Sequence, residues 1–213
     1  MVPILDEVFN DIGRASPTVV YVGAANGDNP EFFERMDGMI RKGRQCRILH
    51  AVLSPGNADV KKAVDLIESA DAVFVSGGDV EVGMQVLKEK GVTAVLPRLH
   101  EQGRLFFGVS AGSIMLAKEW VRWRDPDDDS TAELFPCLGL APLICDTHGE
   151  GDDWEELKAA VGLSPDGTPG YGITSGACLK VYPDGRLQAV AGHIYRYVRH
   201  GKTVTRQADV VPM

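Results

Sequence analysis

Ser110 stands in Gly-Val-Ser-Ala-Gly (108–112), at G-x-S-x-G spacing, directly after the apolar run Arg-Leu-Phe-Phe (104–107). A free serine hydroxyl is a weak nucleophile, so chemistry here requires a base to take its proton, an acid to orient that base and donors for the developing oxyanion. Glycines on both sides relieve crowding around a nucleophile held on a sharp strand-to-helix turn, and a helix beginning near Ala111 aims its first N–H groups at the negative charge. Ser-Gly-Gly-Asp (76–79) ends another apolar run. Gly77 and Gly78 allow the backbone there to turn N–H groups toward the serine; without chemistry, the same pair is a βα turn of positive φ.

Five histidines compete for the base. His50 falls in a strand pattern, His100 in a helical stretch, His193 in a late strand and His200 in a hairpin turn, all positions that serve structure. His148 follows an apolar run and precedes a helical segment, which places it on the same sheet edge as the Ser110 elbow.

The elements that must hold these residues follow from apolar periodicity. Buried strands are expected at Thr-Val-Val-Tyr-Val-Gly (18–23), at 46–53, at 72–78 and at 104–109. Between them lie a helix opened by Pro30 with Phe32, Phe33, Met36, Met39 and Ile40 on one face, and a helix capped near Asn57 carrying Val60, Ala63, Val64 and Ile67. A further helix closes at Gly91, a second helical stretch ends near Gly103, and a helix is expected over 111–120. Residues 124–133 read as an acidic solvated loop. A strand at 138–145 and a short helix capped by Asp152 or Asp153 follow, with Trp154, Leu157 and Val161 on one side. From Gly170 onward, alternation, a Pro-Asp-Gly turn and a His-Gly-Lys turn signal antiparallel hairpins. The expected architecture is α/β: a mostly parallel central sheet with helices on both faces and antiparallel hairpin strands near the C-terminus.

Bulk properties narrow the partners. The 213 residues suit a single α/β domain over 1–213. A formal net charge of −8 and a pI near 5.1 argue against nucleic acid and anionic membrane, which demand basic surface, and favour a peptide or small molecule. Cys46, Cys137, Cys145 and Cys178 form no C-x-x-C pair and read as buried free thiols. No cluster has metal-ligand spacing, so neither metal nor cofactor is expected. The N-terminus carries acids where a secretory signal needs basic residues, and no apolar run approaches the ~18 residues of a membrane span, so a cytoplasmic protein is expected.

The stretches FVSGGD, FGVSAGS, LGLAPLICDTH and GITSGACLKV occur in the order and approximate spacing of the dipeptidase E and cyanophycinase family of serine peptidases, which the chain resembles over roughly residues 18–195. That family looks like a class I glutamine amidotransferase fold whose nucleophilic cysteine has become serine. The resemblance implies Ser110 as nucleophile, His148 as base and the N–H groups around Gly78, Asp79 and Ala111 as oxyanion hole. For the acid, the dipeptidase E branch points to Asp125 in Trp-Arg-Asp-Pro, fifteen residues after the serine. The cyanophycinase-like branch uses a glutamate in G-I-x-E, where this chain has Ser175, a neutral partner that would stabilise imidazolium less well. Asp146 is a third candidate by its nearness in sequence.

Two departures bear on substrate. Asp79 replaces the usual asparagine and would repel a substrate carboxylate or hold an ammonium, unless it is simply solvated; Gly149 replaces an aromatic after the histidine. Arg122 and Arg124 could clamp a substrate carboxylate, or pair with the acidic loop. The resulting expectation is a serine exopeptidase acting on dipeptides or short peptides, with cleavage after an N-terminal aspartate favoured and removal of C-terminal residues as the alternative. Rival readings are an esterase using Ser110 with His193 as base, and a catalytically degenerate peptide-binding protein. An exposed late strand would also allow a second copy to pair.

Overall fold

The structure is a computed structural model and describes residues 2–212. The chain forms two compact units, Leu5–Leu116 and the segment from Ala117 onward together with the first residues of the chain.

The first unit is built of α1 (Val2–Ile12) from Leu5 onward, β1 (Thr18–Val22), α2 (Pro30–Arg41), β2 (Arg47–Ala51), α3 (Val60–Ser69), β3 (Ala72–Val75), α4 (Val80–Glu89), α5 (Val95–Glu101), β4 (Leu105–Gly108) and α6 (Ala111–Leu116). Its strands form a parallel sheet in the order β2-β1-β3-β4, with Val20 opposite Val73 and Val75 opposite Gly108. Every residue of β1 and β3 is buried, as expected for parallel strands covered on both faces and written without polar alternation. Leu5 of α1 and Met36 and Ile40 of α2 pack against Val19, Tyr21, Ile48, Ala72 and Phe74; Phe32, Phe33 and Met39 join them, as the periodicity implied. Asn29 caps α2 by accepting from Phe32 N, and Pro30 fills the first position.

The α3 cap falls on Asp59, not on Asn57, because residues 55–58 close their own turn through Ala58 N to Pro55 O. The helix expected over 111–120 stops at Leu116, and Glu119–Trp123 turns into a strand. A cross-strand partner decides this: Trp120 faces Phe135 and Arg122 faces Glu133, with the two aromatic rings edge to face at 6.3 Å.

The second unit contains β5 (Glu119–Trp123), β6 (Ala132–Pro136), β7 (Ile144–Thr147), α7 (Glu155–Leu163), β8 (Pro169–Ile173), β9 (Cys178–Val181), β10 (Leu187–Val190), β11 (Ile194–His200) and β12 (Thr203–Val210). The last two residues of the acidic segment join β6, so only its earlier part is loop. The strand expected at 138–145 shortens to Ile144–Thr147, since Gly139 adopts φ 67° and Pro142 lacks an N–H. A four-stranded sheet runs β12-β11-β8-β7; β7 and β8 are parallel with α7 between them in sequence, and β8, β11 and β12 are antiparallel. β9 and β10 make a separate hairpin around the Pro-Asp-Gly turn. Trp154, Leu157 and Val161 pack on Val121, Ile144 and Tyr197.

The fold is therefore α/β, with a parallel sheet flanked by helices and with antiparallel hairpin strands. Among the described residues no helix is long and apolar enough to cross a membrane, and no group of three or more His, Cys, Asp or Glu could hold a metal ion. The four cysteines are free thiols; Cys145 is buried and the others half-buried, and burial pushes Cys137 up to about 12 and Cys145 upward as well.

Candidate active site

The candidate nucleophile, Ser110, sits where β4 meets α6. Val109 N donates to Val75 O, Gly112 N to Val109 O and Ser113 N to Ser110 O, which closes a turn tight enough to hold Ser110 at φ 54°. A non-glycine residue in the left-handed region costs of order 1–3 kcal/mol and persists only where its surroundings over-determine it. Gly112 provides part of that constraint. A β-carbon there would lie 2.1 Å from Val75 O, so only glycine lets the helix start against β3.

The strip after β3 supplies the second wall. A β-carbon on Gly77 would lie 3.1 Å from Ser110 Cβ and 3.6 Å from its Oγ, so the strip and Ser110 are neighbours. Asn26 Nδ2 donates to Gly77 O at 2.8 Å and to Ser76 Oγ at 3.1 Å. In a planar trans peptide the carbonyl of Gly77 and the N–H of Gly78 point opposite ways, so Asn26 also fixes where the Gly78 N–H points. Among the described residues, the N–H groups of Gly78 and Ala111 donate to no other group, the condition an oxyanion hole requires. Asp79 differs. Its N–H donates to Ala25 O at 2.8 Å, and its carboxylate caps α4 by accepting from Val82 N at 2.9 Å.

His148 belongs to the second unit, directly after β7, and has φ 66°. The buried Trp154 shapes the turn that follows: its N–H donates to Gly149 O and Asp152 Oδ1, and its ring lies where a β-carbon on Gly149 or Gly172 would have to go, 2.7 and 2.6 Å away. This explains why glycine stands at 149. Glu150, two residues after His148, accepts a hydrogen bond from Ser175 N just beyond β8. That N–H first, then the backbone N–H of Glu150 itself, the Ser175 hydroxyl and the charge of His148, hold the Glu150 carboxyl below the usual carboxylate range against the opposing effect of desolvation.

The expected acids lie in different surroundings. Asp125 is exposed in the β5–β6 turn, where its N–H donates to Thr131 Oγ1 and its Oδ1 accepts from Asp127 N; no ion pair links it to a histidine among the described residues. Asp146 is buried on β7 and accepts from Thr147 N at 2.7 Å. Arg122 and Arg124 both pair with Glu133, and Arg122 lies 4.9 Å over the Phe135 ring. Arg124 first and Arg122 next hold Glu133 below its ordinary range.

Of the other histidines, His50 bonds the buried Asp28 at 2.9 Å and stacks on Phe33. His100 meets the Phe106 ring edge-on. The largely exposed His193 lies 3.8 Å from Asp209.

The sequence profile of Peptidase family S51 matches residues 2–188. The chain belongs to peptidase family S51. The uncharacterized peptidase YgaJ of Bacillus subtilis (strain 168) is 24% identical over 115 residues, 54% of this chain and 48% of YgaJ, so the match spans about half that relative's length. Two solved structures share the fold at 13% identity. One is a Listeria monocytogenes EGD-e protein provisionally described as peptidase E, with a TM-score of 0.60 and coverage of 95% of this chain and 92% of that one. The other is a peptidase from an acI-B1 Actinobacterium, with a TM-score of 0.63 and coverage of 97% and 88%.

Two residues of this S51 chain escape a reading from sequence. Asn26 announces itself only as an Asn-Gly turn after β1, although its amide holds a strip fifty positions away. Glu150 stands just before the acids read as caps of the helix that follows, and nothing local to it points to Ser175.

Asp146 gives the S51 chain a pH signature. Burial pushes its carboxyl up to about 7, reinforced by Glu156 and Asp152 and opposed by the N–H groups of Thr147 and Leu157. A carboxyl with a raised folded pKa favours folding below its unfolded pKa of about 4, and this contribution is lost as pH rises toward 7. Asp146→Asn cannot ionise and keeps an acceptor for Thr147 N. The variant is expected to exceed wild type in stability at pH 8 by roughly 2–4 kcal/mol, a gap that closes near pH 4. Urea midpoints across that range measure it, and a constant gap would show that Asp146 does not titrate with folding.

Proposed function

We propose that this S51 chain is a serine exopeptidase that hydrolyses dipeptides or short peptides. Ser110 Oγ attacks the scissile carbonyl while His148 takes its proton. The tetrahedral oxyanion is received by the N–H groups of Gly78 and Ala111. His148 returns the proton to the leaving amine, and water then releases the acyl group by the same route. The observation that carries this reading is Ser110 held at φ 54° between two uncommitted N–H groups, a strained arrangement that a plain turn has no reason to keep.

Aspartyl dipeptidase activity is the favoured specificity and removal of C-terminal residues the alternative. A cytoplasmic location is part of this reading; among the described residues no helix is long and apolar enough to cross a membrane.

The test is mass-spectrometric product release from Asp-Xaa dipeptides, other dipeptides, longer peptides and their N-acetylated forms, with His148→Ala and His193→Ala in parallel. Wild type is expected to release products that N-acetylation suppresses, and His148→Ala to lose at least a thousandfold in rate. Full activity in His148→Ala together with loss in His193→Ala would replace this reading by the esterase-like one.

A further inference from the structure

Resting on the peptidase reading, we propose that Glu150 is the carboxylate that orients His148, and that Ser175 anchors it. An imidazole that takes a proton from serine needs an anion on its far side, both to fix its tautomer and to offset the charge it gains. The structure gives each other candidate a different occupation. Asp125 uses its carboxylate inside its own exposed turn. Asp146 is buried on β7, where burial disfavours its charged form, and it already accepts from Thr147 N. Ser175 carries no charge, and its N–H is committed to Glu150.

Glu150 meets the requirement by position. β7 and β8 run parallel with Thr147 opposite Ile173, so His148 and Glu150 leave the end of β7 beside the chain that leaves β8 at Ser175. One Glu150 oxygen accepts from the Ser175 N–H, twenty-five residues away in sequence, which holds the carboxylate in the turn that carries His148. After the hydrogen bonds from Ser175 and its own backbone, the charge of His148 also favours the ionised form of this carboxylate. In effect, the acid that the G-I-x-E pattern would place at position 175 is supplied by the turn of the base itself, with Ser175 as its anchor. During turnover Glu150 stays ionised: one ring nitrogen of His148 takes the Ser110 proton, the other donates to Glu150, and the proton leaves with the amine.

The test uses the full chain and a fluorophosphonate probe, which reports how far Ser110 is activated without requiring the natural peptide. Labelling rates are compared across pH for wild type, Ser110→Ala, His148→Ala, Asp125→Asn, Glu150→Gln and Glu150→Asp, with thermal melts as folding control. Glu150→Gln keeps an acceptor for Ser175 N and is expected to label about a hundredfold more slowly, with the acid limb of its profile moved to lower pH. Glu150→Asp should recover part of the rate and Asp125→Asn should stay within about threefold of wild type. Wild-type labelling and an unmoved profile in Glu150→Gln, with collapse in Asp125→Asn, would overturn the proposal and leave the peptidase reading intact. Labelling that persists in Ser110→Ala or His148→Ala would overturn both.

Discussion

Ser110→Ala is expected to lower peptide hydrolysis by four orders of magnitude or more without disturbing the fold, and Ser110→Gly to do the same while making the protein more stable. On the proposed mechanism, removing the attacking oxygen leaves only binding and the oxyanion donors, which are poor catalysts without a nucleophile. The two variants part company over the backbone. Alanine at 110 keeps a β-carbon at φ 54° and therefore keeps the strain, whereas glycine adopts that conformation freely. Relief of about 1–3 kcal/mol exceeds the 0.5–1 kcal/mol that glycine costs through the freer unfolded chain. The net gain of about 1 kcal/mol corresponds to a rise of roughly 2–4 °C in Tm for a chain of this size. Calorimetry on the three proteins, with product release from the same samples, decides the matter. A glycine variant no more stable than the alanine one would mean the elbow stores no strain; turnover surviving in both would remove Ser110 from the chemistry.

Gly78→Ala is the second large effect. At φ 145° glycine is strongly preferred, and a β-carbon would lie 2.0 Å from Ala25 O and 2.4 Å from its carbonyl carbon. Backbone cannot yield as a flexible side chain does, so the strip must move away from residues 24–26. The Asp79 N to Ala25 O bond and the Asn26 bracket on Gly77 O are then lost, and with them the aim of the Gly78 N–H. Stability is expected to fall by about 3 kcal/mol or more, and turnover by at least a hundred- to a thousandfold, the usual consequence of losing one oxyanion donor. Gly91→Ala is the control. That residue also has positive φ, at 71°, but a β-carbon there meets open space, so its variant should lose only about 1 kcal/mol and keep full turnover. Urea midpoints and rates on the pair separate close approach from φ preference; equal losses in both would show that contact with Ala25 contributes nothing.

How much of this was legible in sequence depends on the range over which each feature is decided. The parallel strands β1 and β3 announce themselves as uninterrupted apolar runs because both faces are covered, and Pro30 and Gly91 mark helix ends by local backbone rules. The Ser110 elbow is equally local, since its glycines and the strand before it lie within eight residues. Features settled by distant partners were not visible. Leu-Ala-Lys-Glu-Trp (116–120) reads as helix by propensity and becomes the approach to β5 only because Phe135 and Glu133 wait across the hairpin. Asp79 draws notice as an ion beside an anionic intermediate, yet Val82 N and Ala25 O already occupy its carboxylate and N–H. Arg122 and Arg124 leave a substrate clamp and pairing with the acidic loop both open in sequence, and the pairing, to Glu133, is what the structure shows.

The indole of Trp154 fills the space above Gly149 and Gly172 and is almost wholly shielded from solvent. One ring's volume is therefore shared among three sequence positions that lie on a turn, a helix cap and a strand. In a close-packed interior such a volume is conserved rather than duplicated. The three sites therefore form one packing unit, in which a β-carbon at 149 or 172 and the large ring at 154 exclude one another.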